Sequence, residues 1–187
     1  MRIIAGKAGG IPVKVPKAGT RPTTDRVRQA VFSMIGETVV GARVLDLFAG
    51  SGALGLEALS RGALSAVFVE RHPAACKVIH ENIARTRLTD ARVQQGEVSR
   101  VLQSLARQGE RFDLVFADPP YAHSSGDADV AAALAASDDL HSVLAPGASF
   151  VLECRVTTGG NDSWSPCWEV ERDRDYGATR ILWLRKR

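Results

Sequence analysis

The chain is poor in the residues that staple or metallate small domains. Its three cysteines, Cys76, Cys154 and Cys167, are scattered and odd in number. None has the spacing of a zinc site or a redox dithiol, so all three read as reduced thiols. Four histidines (His72, His80, His123, His141) form no His-x-His or His-Glu-x-x-His pattern, and no metal site is expected. No apolar run approaches the ~18 residues of a membrane span, and no basic-then-apolar leader opens the chain. The cytoplasm is the expected compartment.

What is present is ordinary in amount and uneven in placement. With 187 residues, 45% of them hydrophobic and 24% charged, the chain can bury a core without disulfides or metals. The net charge is only +3. Seven cations, Arg2, Lys7, Lys14, Lys17, Arg21, Arg26 and Arg28, nevertheless face a single acid, Asp25, near the N-terminus. Such a segment serves either as a solvated basic face or as a phosphate-facing arm, and Arg185, Lys186 and Arg187 fit both readings.

Residues 2–4 and 11–15 read as two short strands around Gly9-Gly10, a hairpin-like arm over 1–20. A helical face follows in Val27, Ala30, Val31, Met34 and Ile35, with Thr23 or Thr24 as cap and Gly36 as stop. Beyond it, apolar runs at 44–48, 66–69, 114–117 and 150–152, with a weaker one at 91–95, read as buried strands. They alternate with helical stretches at 54–60, 74–84, 98–106 and 128–144. That alternation predicts an α/β domain over 21–187: a mostly parallel, seven-stranded Rossmann-like sheet with helices on both faces. Residues 168–170 and 180–184 would close it as an antiparallel hairpin.

Two stretches carry chemistry. Strand 44–48 runs into Ala49-Gly50-Ser51-Gly52-Ala53-Leu54-Gly55, where glycines let the backbone approach a ligand and the next helix offers unpaired N–H groups. Glu70 ends the following strand, where an acid can take ribose hydroxyls. Gly50-x-Gly52-x-x-Gly55 with an acid downstream is formally a dinucleotide fingerprint, so a nicotinamide-dependent oxidoreductase competes. Asp46, before the glycine turn, instead suits a methyltransferase, where it orients the loop and attracts a methionine ammonium. Glu97, after Gly96, is placed either to meet an adenine amino group or simply to start a helix.

The second stretch is Asp118-Pro119-Pro120-Tyr121 after strand 112–117. The prolines stop the strand and stiffen the turn, presenting a carboxylate, a carbonyl and an aromatic ring together. An exocyclic amino group on a base is a poor nucleophile because its lone pair is delocalised into the ring. Hydrogen bonds from its two protons to Asp118 and the Pro119 carbonyl favour a pyramidal nitrogen whose lone pair can attack a sulfonium methyl. Tyr121 can stack on a flipped or unpaired base. A cytosine-C5 mechanism would need a cysteine near this strand end, and none is there. Adenine N6, cytosine N4 and guanine N2 all remain open as targets, as does a module that binds nucleic acid without catalysis.

Arg2-Ile3-Ile4-Ala5-Gly6, the block from Arg21 through Arg28, the Asp46–Gly55 loop with the residues through Ala63, Asp118–Tyr121 and Tyr176-Gly177-Ala178-Thr179-Arg180 occur in that order. Together they resemble the RsmD-like family of bacterial small-subunit rRNA guanine-N2 methyltransferases across nearly the whole chain. The resemblance implies a monomeric class I enzyme that uses S-adenosylmethionine on 16S rRNA, naked or carrying ribosomal proteins, during ribosome assembly. Asp46, Phe48, Ala49, Gly50, Ser51, Gly52, Glu70 and Glu97 would then hold the cofactor, and Asp118, Pro119 and Tyr121 the guanine amine. Arg21, Thr23 and Arg26, with Arg2 and Lys7 of the arm, would face cofactor and target. The sequence departs from the family after Gly6, where Lys7-Ala8-Gly9-Gly10-Ile11 replaces an arginine-rich stretch and lowers the charge of the arm.

Overall fold

Short apolar runs without helical periodicity form the inner strands, and with two more polar edge strands they pair into one seven-stranded sheet in the computed structural model, which describes residues 1–16, 25–120, 130–156 and 166–187. In chain order the elements are α1 (Asp25–Ile35) with a 3₁₀ turn (Gly36–Val39), β1 (Arg43–Leu47), α2 (Ala53–Ser60), β2 (Ser65–Glu70) and α3 (Pro73–Thr86). They continue as β3 (Ala91–Gln95), α4 (Val98–Arg107), β4 (Phe112–Ala117), α5 (Val130–Ala135), α6 (Asp138–Val143), β5 (Leu144–Arg155), β6 (Trp168–Tyr176) and β7 (Thr179–Lys186).

The sheet order is β3-β2-β1-β4-β5-β7-β6. β3 through β5 are parallel, whereas β7 runs antiparallel to both β5 and β6. The expected fold class is therefore the observed one. A dinucleotide-binding sheet of order 3-2-1-4-5-6 has no antiparallel strand inserted beside β5. Because β7 is reversed, its first residues lie at the carboxyl end of β5, with Thr179 opposite Arg155. The β6–β7 turn is thereby delivered to the edge where the parallel strands end.

Side-chain alternation sorts the core onto two faces. Val44, Phe68, Phe116, Val151 and Ile181 pack with Phe32 of α1, Leu56 of α2, Ile79 of α3 and Ile3 and Val13 of the N-terminal segment. Leu45, Val115, Phe150 and Leu182 pack with Leu102 and Leu105 of α4 and Leu140 of α6.

One element differs from expectation. The helix read over 128–144 is two short helices broken before Ser137, whose hydroxyl accepts the Leu140 N–H at 3.3 Å and starts α6. Leu144, read as helical, opens β5. A capping serine outcompetes helical continuation here because its side chain satisfies an N–H that the interior would otherwise own.

The N-terminal segment forms a hairpin-like arm through an Arg2–Pro12 bridge and the Ile3–Ile11 and Gly10–Ile3 main-chain bonds. Buried polar groups tie it to α2. Glu57, with no exposed side-chain surface, accepts the N–H groups of Ile4 at 2.7 Å and Ala5 at 3.1 Å. Ser60 accepts the Ala8 N–H at 2.9 Å and donates to the Ala5 carbonyl at 2.5 Å. Gly6 passes so close that a Cβ would fall 1.9 Å from the Ser60 carbonyl oxygen.

Arg28 counts among the basic residues of this region on sequence, but it is wholly buried and unavailable to a polyanion. It donates to the Arg2 carbonyl and to Asp25, and its Nε lies 3.8 Å from the Glu57 carboxylate. Among the described residues Nε and Nη1 have no hydrogen-bond partner, and the Glu57 charge compensates this buried cation.

Glu57→Ala should therefore cost about 3–5 kcal/mol in urea unfolding, because it strands a buried guanidinium and two arm N–H groups. Arg61→Ala, which breaks a partly exposed pair with the same carboxylate, should cost under about 1 kcal/mol. Equal losses for the two variants would show that the buried network does not anchor the arm.

Candidate functional site

A cavity of about 830 Å³ opens at the carboxyl edge of the sheet. Its lining draws on the loop after β1, the end of β2, the start of α4, the turn after β4, the end of β5, the β6–β7 turn and the arm with α1. This is where a doubly wound sheet binds ligands, since strand ends and helix starts diverge there on either side of β1 and β4.

The loop from Phe48 to Gly52 is shaped by positive φ angles at Phe48 (59°), Gly50 (54°) and Gly52 (76°). For the glycines the conformation is easy. For Phe48 it costs on the order of 1 kcal/mol or more, and such strain persists only where the surroundings impose it. Two carboxylates impose it. Asp46 on β1 accepts the Gly55 N–H at 2.9 Å, and Glu70 at the end of β2 accepts the Gly50 N–H at 3.0 Å and the His72 N–H at 2.8 Å. Gly55 is fixed by packing, because a Cβ there would lie 2.4 Å from the Phe68 ring.

Asp46 is 2% exposed. Burial pushes its carboxyl up to about 7, opposed by the Gly55 N–H and reinforced by the nearby charges of Asp118 and Glu70. The cavity thus holds a cluster of acids and favours a cationic group among them.

Of the residues singled out on sequence, Asp46, Phe48, Ala49, Gly50, Ser51, Glu70 and Glu97 all line this one cavity, and so do Asp118, Pro119 and Arg26. Gly52 begins α2 just behind it. Glu97 immediately precedes α4 without capping it by its side chain, and it lies 3.9 Å from Arg71. Arg2 and Lys7 are exposed and are not in the cavity wall, which Met1 and Val15 reach instead. Arg21, Thr23 and Tyr121 lie outside the described residues.

A family model described as Conserved hypothetical protein 95 matches residues 1–185. The chain belongs to that family, the RsmD family. The resemblance drawn from the sequence is thus borne out. The RsmD-family chain is 43% identical over 122 residues to "Ribosomal RNA small subunit methyltransferase D" of Escherichia coli, covering 65% of this chain and 60% of that protein. It is 44% identical over 123 residues to "Putative rRNA methyltransferase YlbH" of Bacillus subtilis, covering 65% and 67%. The matched stretch therefore spans about two thirds or less of those relatives. Among solved structures, "Putative methyltransferase yhhF from Escherichia coli" superposes with a TM-score of 0.83 at 34% identity, covering 100% of this chain and 97% of that one.

Sequence reasoning missed several residues of this RsmD-family site. Asn82 of α3, fully buried, donates to the Ser51 and Lys14 carbonyls and accepts the Lys14 N–H, fastening loop and arm to one helix. Its only sequence signal is a polar residue at a position where α3 turns its apolar side inward. Glu153 and Arg155 at the end of β5 also line the cavity, beside the 175–179 turn that carries the Tyr176–Arg180 motif. The reversal of β7 brings that turn to β5, and no local motif marks Glu153 or Arg155.

The sign of the Asp46 effect on stability is fixed. Its folded-state value, about 7, lies above the ordinary 3.8, so the folded protein holds a proton that the unfolded chain releases. The contribution is fully present below about pH 4 and is lost as pH rises to about 7. In ligand-free protein, Asp46→Asn should flatten this part of the stability–pH curve by on the order of 4 kcal/mol. Parallel curves for parent and variant between pH 4 and 7.5 would mean that Asp46 is already ionised throughout.

Proposed function

We propose that this chain transfers the methyl group of S-adenosylmethionine to the exocyclic N2 amine of a guanine in small-subunit rRNA during ribosome assembly. The observation that carries the reading is the placement of Asp118 and Pro119 in the same cavity as the carboxylate-braced glycine loop. The names of the relatives support rRNA as the substrate.

The residues fit the cofactor. A cavity of this size matches a nucleoside-sized ligand, the loop backbone is shaped by Gly50 and Gly52, and the buried Asp46 suits an ammonium. In this reading Asp46, Phe48, Ala49, Gly50, Ser51 and Gly52 hold the methionine end and Glu70 the ribose. Glu97 faces the adenine amino group. Bound there, S-adenosylmethionine supplies an electrophilic sulfonium methyl. Asp118 and the Pro119 carbonyl accept the two amine hydrogens and turn the nitrogen lone pair toward the methyl. The proton lost from the methylated amine passes through Asp118 to water. Tyr121 stacks on the base.

Arg26, in the cavity lining, and Arg21 and Thr23 would serve the target and cofactor. The arm, residues 1–20, presents Arg2 and Lys7 to phosphates beside a methyltransferase body of residues 21–187. The protein acts as a cytoplasmic monomer on rRNA, alone or with ribosomal proteins bound. Among the described residues no helix is long and apolar enough to cross a membrane.

The test is transfer of labelled methyl to small subunits from cells lacking this gene, with naked rRNA and DNA in parallel and the labelled nucleoside identified by mass. N2-methylguanosine in rRNA is expected. N6-methyladenine or N4-methylcytosine would overturn the base assignment, and thermal stabilisation by a nicotinamide dinucleotide instead of S-adenosylmethionine would overturn the reaction.

Asp118→Ala should lower turnover by about 10³-fold or more while leaving cofactor affinity within about threefold. Glu70→Ala should weaken cofactor binding by about tenfold or more, through loss both of ribose contacts and of the brace on Gly50. An unchanged dissociation constant for Glu70→Ala would remove it from the cofactor site.

A further inference from the structure

The strand register divides the cavity into two halves. Glu70 ends β2, Asp46 and the glycine loop belong to β1, and Asp118 follows β4. Ala117 pairs with Leu152, so the next step of the parallel ladder sets Asp118 beside Glu153. Across β5, Arg155 pairs with Thr179 of β7. Along the edge the order is thus cofactor acids, then Asp118, then Glu153, with Arg155 two residues further along β5 and Tyr176 and Thr179 of the β6–β7 turn also in the lining.

Alternation puts the second pair on the reacting face. Val151 belongs to the arm-side core together with Phe116 and Val44. Two residues on, Glu153 and then Arg155 therefore share the face of Asp118 and Asp46. Both line the cavity.

We propose that Glu153 and Arg155 determine base specificity by reading the Watson–Crick edge of the acceptor as a guanine. This rests on the methyl-transfer reading and names what that site recognises. The turn after β4 engages an exocyclic amine and does not by itself choose among bases, because guanine N2, adenine N6 and cytosine N4 each offer two hydrogens. The neighbouring atom does choose. In guanine the ring nitrogen beside the amine carries a hydrogen, and a carbonyl oxygen, O6, follows it. In adenine and cytosine the corresponding ring nitrogen is an acceptor.

A second carboxylate next to Asp118 therefore matches the donor–donor pair N2–N1 of guanine and opposes the lone pair of adenine N1 or cytosine N3. A guanidinium one alternation further along completes the pattern by donating to O6. Asp118 and Glu153, side by side across the β4–β5 ladder, with Arg155 one alternation beyond Glu153 on β5, complement amine, N1–H and O6 along the base. A site built to hydrogen-bond a polar edge rejects the analogue that lacks it far better than an apolar pocket does.

The experiment uses small subunits reconstituted with rRNA that carries either guanine or 2-aminopurine at the methylated position. 2-Aminopurine keeps the N2 amine but has an acceptor at N1 and no O6. The parent should prefer guanine by about 100-fold or more in kcat/KM. Glu153→Gln, whose amide can donate to the acceptor N1, should cut that preference at least tenfold. Arg155→Ala should lower kcat/KM for guanine at least tenfold and change the rate on 2-aminopurine little. Cofactor dissociation constants should stay within about threefold in both variants, and that readout also certifies their folding.

If the parent methylates guanine and both variants keep its guanine preference, this proposal falls and the methyl-transfer reading stands. If either variant instead loses cofactor affinity, the two residues belong to the cofactor half and the proposal also falls. A parent that methylates adenine or cytosine overturns both.

Discussion

The site depends on two carboxylates that accept main-chain N–H groups from the glycine loop and from the first turn of the helix after it. Asp46 holds the Gly55 N–H and Glu70 holds that of Gly50. Without them the Phe48–Gly52 backbone has no reason to keep a phenylalanine in the left-handed region. Both acids are nearly inaccessible, which makes the bonds costly to break and leaves Asp46 poised near neutrality. A buried acid that braces a loop is also one that a cationic group can stabilise in its charged form. The loop is preorganised before any ligand arrives, and a preorganised polar site need not be rearranged during reaction.

A second set of buried polar groups sits one layer out and serves the arm. Glu57, Ser60 and Asn82 each spend their side-chain oxygens or amide on main-chain groups of residues 4–14. The basic segment that reads on sequence as a hairpin-like arm is thereby fixed against α2 and α3, and its Met1 and Val15 reach the cavity. Its exposed cations, Arg2, Lys7 and Lys14, face outward from a rigid support. Positively charged side chains on a fixed frame can set orientation toward a polyanion as well as attract it.

Much of this was legible in the sequence, for physical reasons that also set the limit. Parallel strands buried on both faces read as short apolar runs, so β1, β2 and β4 were found to within a residue or two. Glycines beside a strand end and prolines after one carry backbone constraints that hold in any context, which is why the Gly50–Gly55 loop and Asp118-Pro119 could be placed on one edge. Arg28 was misread because charge has no local mark of burial; its compensation by Glu57 comes from a helix 29 positions away. Ser137 breaks a run of helix formers through a single hydroxyl, a local signal outweighed by the composition around it.

Glu153 and Arg155 show why the rest was hidden. They sit on a strand whose neighbour in space, β7, is reached only after β6 has been made, and the reversal of β7 decides which loop wall they face. Sequence order places them far from Asp118, and only the register between Ala117 and Leu152 makes them its neighbours. The division follows from how such sheets are wound. The β1–β2 side is built from consecutive β-α units, and its cavity lining comes from local motifs. The β5–β7 side is assembled by a late antiparallel return, and its cavity lining is set by tertiary register. If Glu153 and Arg155 read the acceptor as proposed, such a chain could keep its glycine-loop motifs unchanged while altering the acceptor at two or three strand-end positions on the far side of Asp118.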